Sequence, residues 1–103
     1  MNSKAISVLA EAGLSGAPAE TSLRSLLATL AAQTESLRAV LTGCGLEPAD
    51  VDPAHERTVD IIRRLSRAGL DREQAAGLFG EDGAAAYVAL AENLGRFEEL
   101  EGV

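Results

Sequence analysis

The hexapeptide Leu-x-x-Ala-Gly-Leu occurs twice, over residues 9–14 and 65–70, and it limits what each flanking segment can become. A helix running into Gly13 or Gly69 meets the residue best able to take the left-handed turn that ends a helix. The leucine that follows, Leu14 or Leu70, can then fold back onto the last turn. The agreement extends beyond the hexapeptide in one ungapped frame: Ile6 matches Ile62, Ala19 matches Ala75, and Leu23 stands where Phe79 stands. An internal helix-glycine-helix repeat is expected, with units over about 6–42 and 62–100 and a connector over 43–52.

The rest of the pattern is helical. Ile6, Leu9 and Ala10 give residues 4–12 an apolar side, with Ser3 as N-cap. Pro18 suits a first helical turn. Leu23, Leu26, Leu27 and Leu30 then predict a helix over 17–32. Thr34 is placed to cap a further helix carrying Leu37, Val40 and Leu41 and ending at Gly43. Nothing over 31–34 forces a break, so one continuous helix over 17–42 stays open. The glycines, prolines and acids of 43–52 predict irregular structure, pinned by Leu46 and Val51. Asp52-Pro53 reads as the start of a helix burying Val59, Ile61, Ile62 and Leu65. Asp71 and Gln74 form a capping box for a two-turn helix that ends at Gly80. A last helix opens at Glu81 or Asp82 and runs to about Leu100. Its stripe is Tyr87, Leu90, Leu94 and Phe97, widened by Ala84, Val88 and Ala91. The acids at its C-terminus, Glu98, Glu99 and Glu101, oppose the helix dipole, so either fraying or a helix that continues into sequence this chain lacks is expected. Ala and Leu supply most of the 47% hydrophobic content, and the aromatics are only Phe79, Tyr87 and Phe97. The expected fold is all-α: a compact bundle of five to six short helices in a single domain of 103 residues.

Little chemistry is encoded. A net charge of −7 argues against duplex DNA and anionic lipid as partners. No run is long and apolar enough for a signal peptide or membrane span, so a cytosolic-type chain is expected. Cys44 has no second cysteine to bridge. With His55 the lone histidine, no Cys/His metal site, no cofactor and no catalytic residue are expected. His55 reads as a surface group and Cys44 as a packed thiol. Glu47, Asp50 and Asp52 lack the spacing of a calcium loop and read as caps. Arg63, Arg64 and Arg67 are expected to pair with the acids around them. The glycine pairs Gly13/Gly16 and Gly77/Gly80 are followed by no Lys-Ser/Thr and form no phosphate cradle. Ala76, Gly80 and Ala86 fit helix-turn-helix spacing. The helix so placed would present Ala84, Ala85, Tyr87 and Ala89, which cannot read bases or phosphates.

Taken in order, these units resemble the helical core of bacteriophage and prophage tail tape measure proteins. The first unit, L-x-x-A-G-(I/L)-x-G-x-x-A-x-T-x-L-R in that family, is similar to residues 9–24, including Gly16, Ala19, Leu23 and Arg24. The G-(L/I)…D-(V/L)…P connector corresponds to Gly45-Leu46, Asp50-Val51 and Pro53. The second unit corresponds to residues 65–83, with Leu78-Phe79-Gly80 its most specific part. The resemblance covers residues 6–100. It implies a structural, non-enzymatic role in tail assembly and tail length determination, with tail tube subunits and assembly chaperones as partners. The implied location is the bacterial cytoplasm during assembly and afterwards the virion tail. The residues that carry it, Gly13, Leu14, Gly69, Leu70, Leu78, Phe79 and Gly80, are expected to be structural. Family members are much longer, and even a fully helical chain of this length spans only about 155 Å. A fragment, a remnant prophage reading frame or one compact segment of a longer ruler is therefore expected. Two other readings stand beside it: a small helical protein-protein interaction module, and an acidic regulator with a degenerate helix-turn-helix. A homo-oligomer is open, since an Ala/Leu stripe serves a dimer as well as a core.

Overall fold

The computed structural model describes residues 3–14 and 16–103; the turn expected at Ser15 lies outside them. Six α-helices and one 3-10 turn follow in order: α1 (Ser3–Glu11), α2 (Ala17–Ala32), α3 (Glu35–Cys44), the 3-10 turn (Pro48–Val51), α4 (Thr58–Arg67), α5 (Arg72–Glu92) and α6 (Leu94–Glu101). No strand occurs among the described residues, and the fold is all-α.

The Leu-x-x-x-Gly-Leu pattern closes helices by one hydrogen-bond scheme. After α1, the Leu14 N–H donates to the Leu9 carbonyl (2.8 Å) and the Gly13 N–H to that of Ala10 (3.1 Å). After α4, Leu70 donates to Leu65 and Gly69 to Ser66, both at 3.1 Å. These paired bonds define the Schellman closure, which satisfies carbonyls that a helix end leaves orphaned. A third copy, not apparent from the Ala-Gly-Leu repeat, closes α3: Leu46 donates to Leu41 (2.9 Å) and Gly45 to Thr42 (3.2 Å). Gly69 has φ +91, and an added Cβ there would meet nothing within 4 Å. Gly69→Val is therefore expected to destabilise the domain by about 1 kcal/mol or more through backbone strain alone. Urea unfolding measures it, and an unchanged midpoint would contradict a strained turn.

Several boundaries differ from expectation. The α1 face turned inward is Ala5, Val8 and Leu9; Ala10 is exposed and Ile6 half-buried. Ser3 is the first residue of that helix, and its carbonyl accepts from Ser7 Oγ. The helix over 17–32 has the expected limits, and the chain then breaks. Gln33 takes φ 52, ψ 52, and its side-chain amide donates to the carbonyls of Leu30 (2.8 Å) and Pro48 (3.3 Å). The hydroxyl oxygen of Thr34 accepts from Leu37 N–H and opens α3, which runs to Cys44 rather than Gly43. The connector holds a turn of 3-10 helix with Val51 in the core.

Asp52-Pro53 does not start a helix. Asp52 instead makes a turn, its Oδ1 accepting from Ala54 N–H and its carbonyl from the N–H groups of His55 and Glu56. The local side-chain bond competes with helix propagation, and α4 begins only at Thr58. The expected last helix is also interrupted. Asn93 leaves helical geometry (φ −118, ψ 30) as its side chain donates to the Ala89 carbonyl, so α6 is separate. Two of the three C-terminal acids are compensated and the helix holds to Glu101: Glu98 pairs with Arg63, Glu99 with Arg96, and Gly102 closes the helix.

One cluster of buried side chains joins all six helices. The most extensive helix contact is α2 against α5. Tyr87 and Phe97 are the largest fully buried groups. The Tyr87 hydroxyl donates to the Leu70 carbonyl (2.7 Å), tying the second glycine turn to α5. Burial, with the Asp71 and Cys44 charges adding to it, pushes the Tyr87 phenol up to about 12. Tyr87→Phe keeps the packing but leaves that carbonyl without its donor, a loss of about 1 kcal/mol. Denaturant unfolding of the pair reads it, and equal stability would show the bond to be dispensable.

Candidate functional site

The residues that carry the repeat are architectural. Gly13, Leu14, Gly69 and Leu70 form the two closures just described. Leu78 is half-buried and Phe79 sits in the core beside Tyr87, their ring centroids 6.0 Å apart. Gly80 is the corner of α5. With φ 75 and ψ −180 it occupies a region that only glycine enters readily. It divides the element into two arms, as the glycine stop predicts. The arms fold back far enough for Arg72 to reach Glu92 at 3.4 Å.

Gly83 is a contributor that the sequence pattern does not single out. A Cβ there would lie 2.7 Å from Phe79 Cβ and 3.3 Å from the Leu26 backbone nitrogen. It is the small residue that lets α2 and α5 approach.

Of the three arginines of α4, Arg63 and Arg64 make ion pairs as expected, reaching further than sequence neighbours, while the exposed Arg67 makes none among the described residues. Arg63 binds Asp60 and, on α6, Glu98, both at 2.7 Å. Arg64 donates to Glu56 (2.6 Å) and to the Asp50 carbonyl (2.7 Å), anchoring the connector. Arg96 joins α6 to α1 through Glu11. The Arg63 hydrogen bond holds the Asp60 carboxyl below its usual 3.8, against desolvation, with Arg57 assisting. A depressed folded value means that the contribution is full above 3.8 and is lost as pH falls through the folded value. Asp60→Asn should therefore cost about 1 kcal/mol at pH 7. The deficit should shrink towards nothing in urea titrations at increasingly acid pH, and a pH-independent deficit would rule out the charge as its source.

No constellation for bond chemistry is assembled among these groups. His55 is exposed in the turn before α4, not in a helical first turn, and its nearest acid is Asp52 at 3.8 Å. Cys44 is half-buried. Among the described residues, no three His, Cys, Asp or Glu side chains gather to hold a metal ion. No helix among them is long and apolar enough to cross a membrane. In the helix-turn-helix placement, Ala84, Tyr87 and Ala89 of the would-be recognition helix are buried. Its outer face carries Glu81, Asp82 and Glu92, which repel phosphates.

Among the described residues, two open grooves stand out by size. The larger, about 770 Å³, lies along α1 and α2 and is lined by Ile6, Leu23, Leu27, Ala28, Ala31 and Pro53, with Ser3, Glu20 and Arg24 around it. The smaller, about 420 Å³, sits in the crook of α5 on a floor of alanines, with Arg72, Glu81 and Glu92 at its edge. Both carry carboxylates and arginines at their edges, but neither is lined by a histidine or a cysteine. Comparison with protein-family models, curated proteins and solved structures finds no match to this chain.

Proposed function

We propose that this chain is a structural, non-enzymatic segment of a phage tail tape measure protein, acting in tail assembly and tail length determination. The observation that carries the reading is the ordered series of motifs: the unit over 9–24, the Gly45-Leu46, Asp50-Val51 and Pro53 connector, and the second unit closing on Leu78-Phe79-Gly80. The work done by these residues supports it. Leu9, Leu65, Val51 and Phe79 are buried, and Gly13, Gly45 and Gly69 end helices. Such residues build a segment; they do not catalyse. A globule measuring 32 × 27 × 22 Å contributes at most its own length to a ruler, so many segments would be needed. The implied partners are tail tube subunits and assembly chaperones, met in the bacterial cytoplasm and later in the virion tail.

Co-expression with the proteins encoded beside its gene tests the proposal. At least one tail tube subunit or tail assembly chaperone should co-purify in fixed ratio. Flanking genes without tail proteins, or tail proteins that never bind, would overturn it. The α1–α2 groove favours a second reading, a helical interaction module unrelated to tails. Fixed-ratio capture of a non-tail partner would support that one instead.

A further inference from the structure

We propose that Gly80 is a hinge through which two copies of this chain exchange residues 81–103, α5 straightening into one continuous helix in each. Gly80 is the single residue of the 21-residue α5 that leaves helical geometry, at φ 75 and ψ −180. No loop surrounds it: Phe79 and Glu81 on either side are helical, so the two dihedrals of one residue separate the bent form from a rod. A hinge that short, between parts that pack on each other, is where arm exchange begins. Gly77 and Gly80 are both exposed, and a Cβ at either would meet nothing within 4 Å. Two straightened helices can therefore cross closely there. Beyond the corner, Tyr87, Leu90 and Phe97 lie in the core. The ties of this arm run to residues before the corner: Tyr87 to the Leu70 carbonyl, Glu98 to Arg63, and Arg96 to Glu11. A lone chain that straightened would strip the core of its cover and break each of these ties. Two chains that straighten together re-form each of them between copies, twice over, as two-fold symmetry requires. The core contacts themselves become the interface, and no new surface is needed. Glu81 and Asp82 open the second arm, where carboxylates are favourable at a helix N-terminus. That interaction exists only while the corner does, so it holds the wild type towards the monomer. The inference is independent of the tail assignment.

Gly80→Ala tests it, because alanine penalises the corner and favours the helix while adding no clash. Each dimer contains two hinges, so at about tenfold per hinge its dissociation constant should fall at least about a hundredfold. Light scattering after refolding from urea at up to about 1 mM should then show twice the 10.7 kDa monomer mass. Exchange itself is read from a refolded mixture of isotope-labelled and unlabelled chains: nuclear Overhauser contacts between the Tyr87 ring and Leu70 should cross between copies. Glu81→Pro should act the other way. Proline suits the first turn after the corner but keeps Gly80 from becoming helical, so this variant should fold and stay monomeric. A Gly80→Ala variant that is folded and monomeric would overturn the proposal. So would a dimer whose Tyr87–Leu70 contact stays within one copy, or a Glu81→Pro variant that dimerises as Gly80→Ala does. If Gly80→Ala fails to fold, the wild type decides: refolded at about 1 mM it should yield the same exchanged dimer, and a wholly monomeric wild type there would sink the idea.

Discussion

Phe97→Ala is expected to cost about 3–5 kcal/mol, the range for truncating a large buried aromatic. Phe97 is fully buried, on an eight-residue helix that touches α1, α4 and α5. The other ties of α6 are the partly buried Leu94 and Leu100 and the ion pairs Arg63–Glu98 and Arg96–Glu11, and exposed or part-exposed pairs contribute only about 0–1 kcal/mol each. They cannot hold the helix once its anchor is gone. A domain of this size has about 5–15 kcal/mol in total, so the variant should sit near the edge of folding. Urea unfolding gives the loss, and hydrogen exchange should show α6 amides losing protection first. A loss below about 1 kcal/mol, well under that range, would mean that α6 is not an integral part of the core.

Gly83→Val is expected to cost about 3 kcal/mol, the upper part of the range for overpacked cores. The added Cβ meets Phe79 Cβ at 2.7 Å and Leu26 backbone at 3.3 Å. Neither obstacle is the free end of a side chain, so rotation cannot relieve the clash: the Phe79 contact lies within α5, across the Gly80 corner, which must open, and the Leu26 contact requires α2 to shift as well. Gly83→Ala should cost less, because alanine regains about 1 kcal/mol of helix propensity. Thermal unfolding of the two variants should therefore rank glycine above alanine above valine. Alanine above glycine would mean that the α2–α5 contact yields without strain.

Where local chemistry decides the structure, the sequence was legible. Asp71 with Gln74, Thr34 with Leu37, and the two Ala-Gly-Leu closures are complete within six residues, and each forms as its sequence predicts; the third closure, at Gly45, is equally local, but its sequence reads as a stop at Gly43. The misses occur where two local signals compete or a distant group decides. Asp52-Pro53 fits a helix start and a turn equally well, and the turn forms, with Arg64 binding the adjacent connector. Gln33 carries no breaker signal of its own. Its left-handed conformation accompanies a hydrogen bond to Pro48, fifteen residues on. Asn93 could have been flagged, as an asparagine inside a helical run able to bond back to the preceding turn. The Arg63–Glu98 and Arg96–Glu11 links and the Gly83 contact depend on how helices pack, which spacing along the chain does not encode. The grooves were legible only as a surplus of leucine and alanine.

The three leucine-glycine closures also bear on how the chain finds its fold. Each is encoded within six consecutive residues, so the ends of α1, α3 and α4 can be set before any distant contact forms. The conformational search then runs over the arrangement of rods whose ends are already marked, rather than over helix length and docking together. Agreement between local and global preference smooths the route to one structure. The largest loop-closure entropy then falls on the meeting of α1 with α6, whose Glu11–Arg96 link joins residues 85 positions apart.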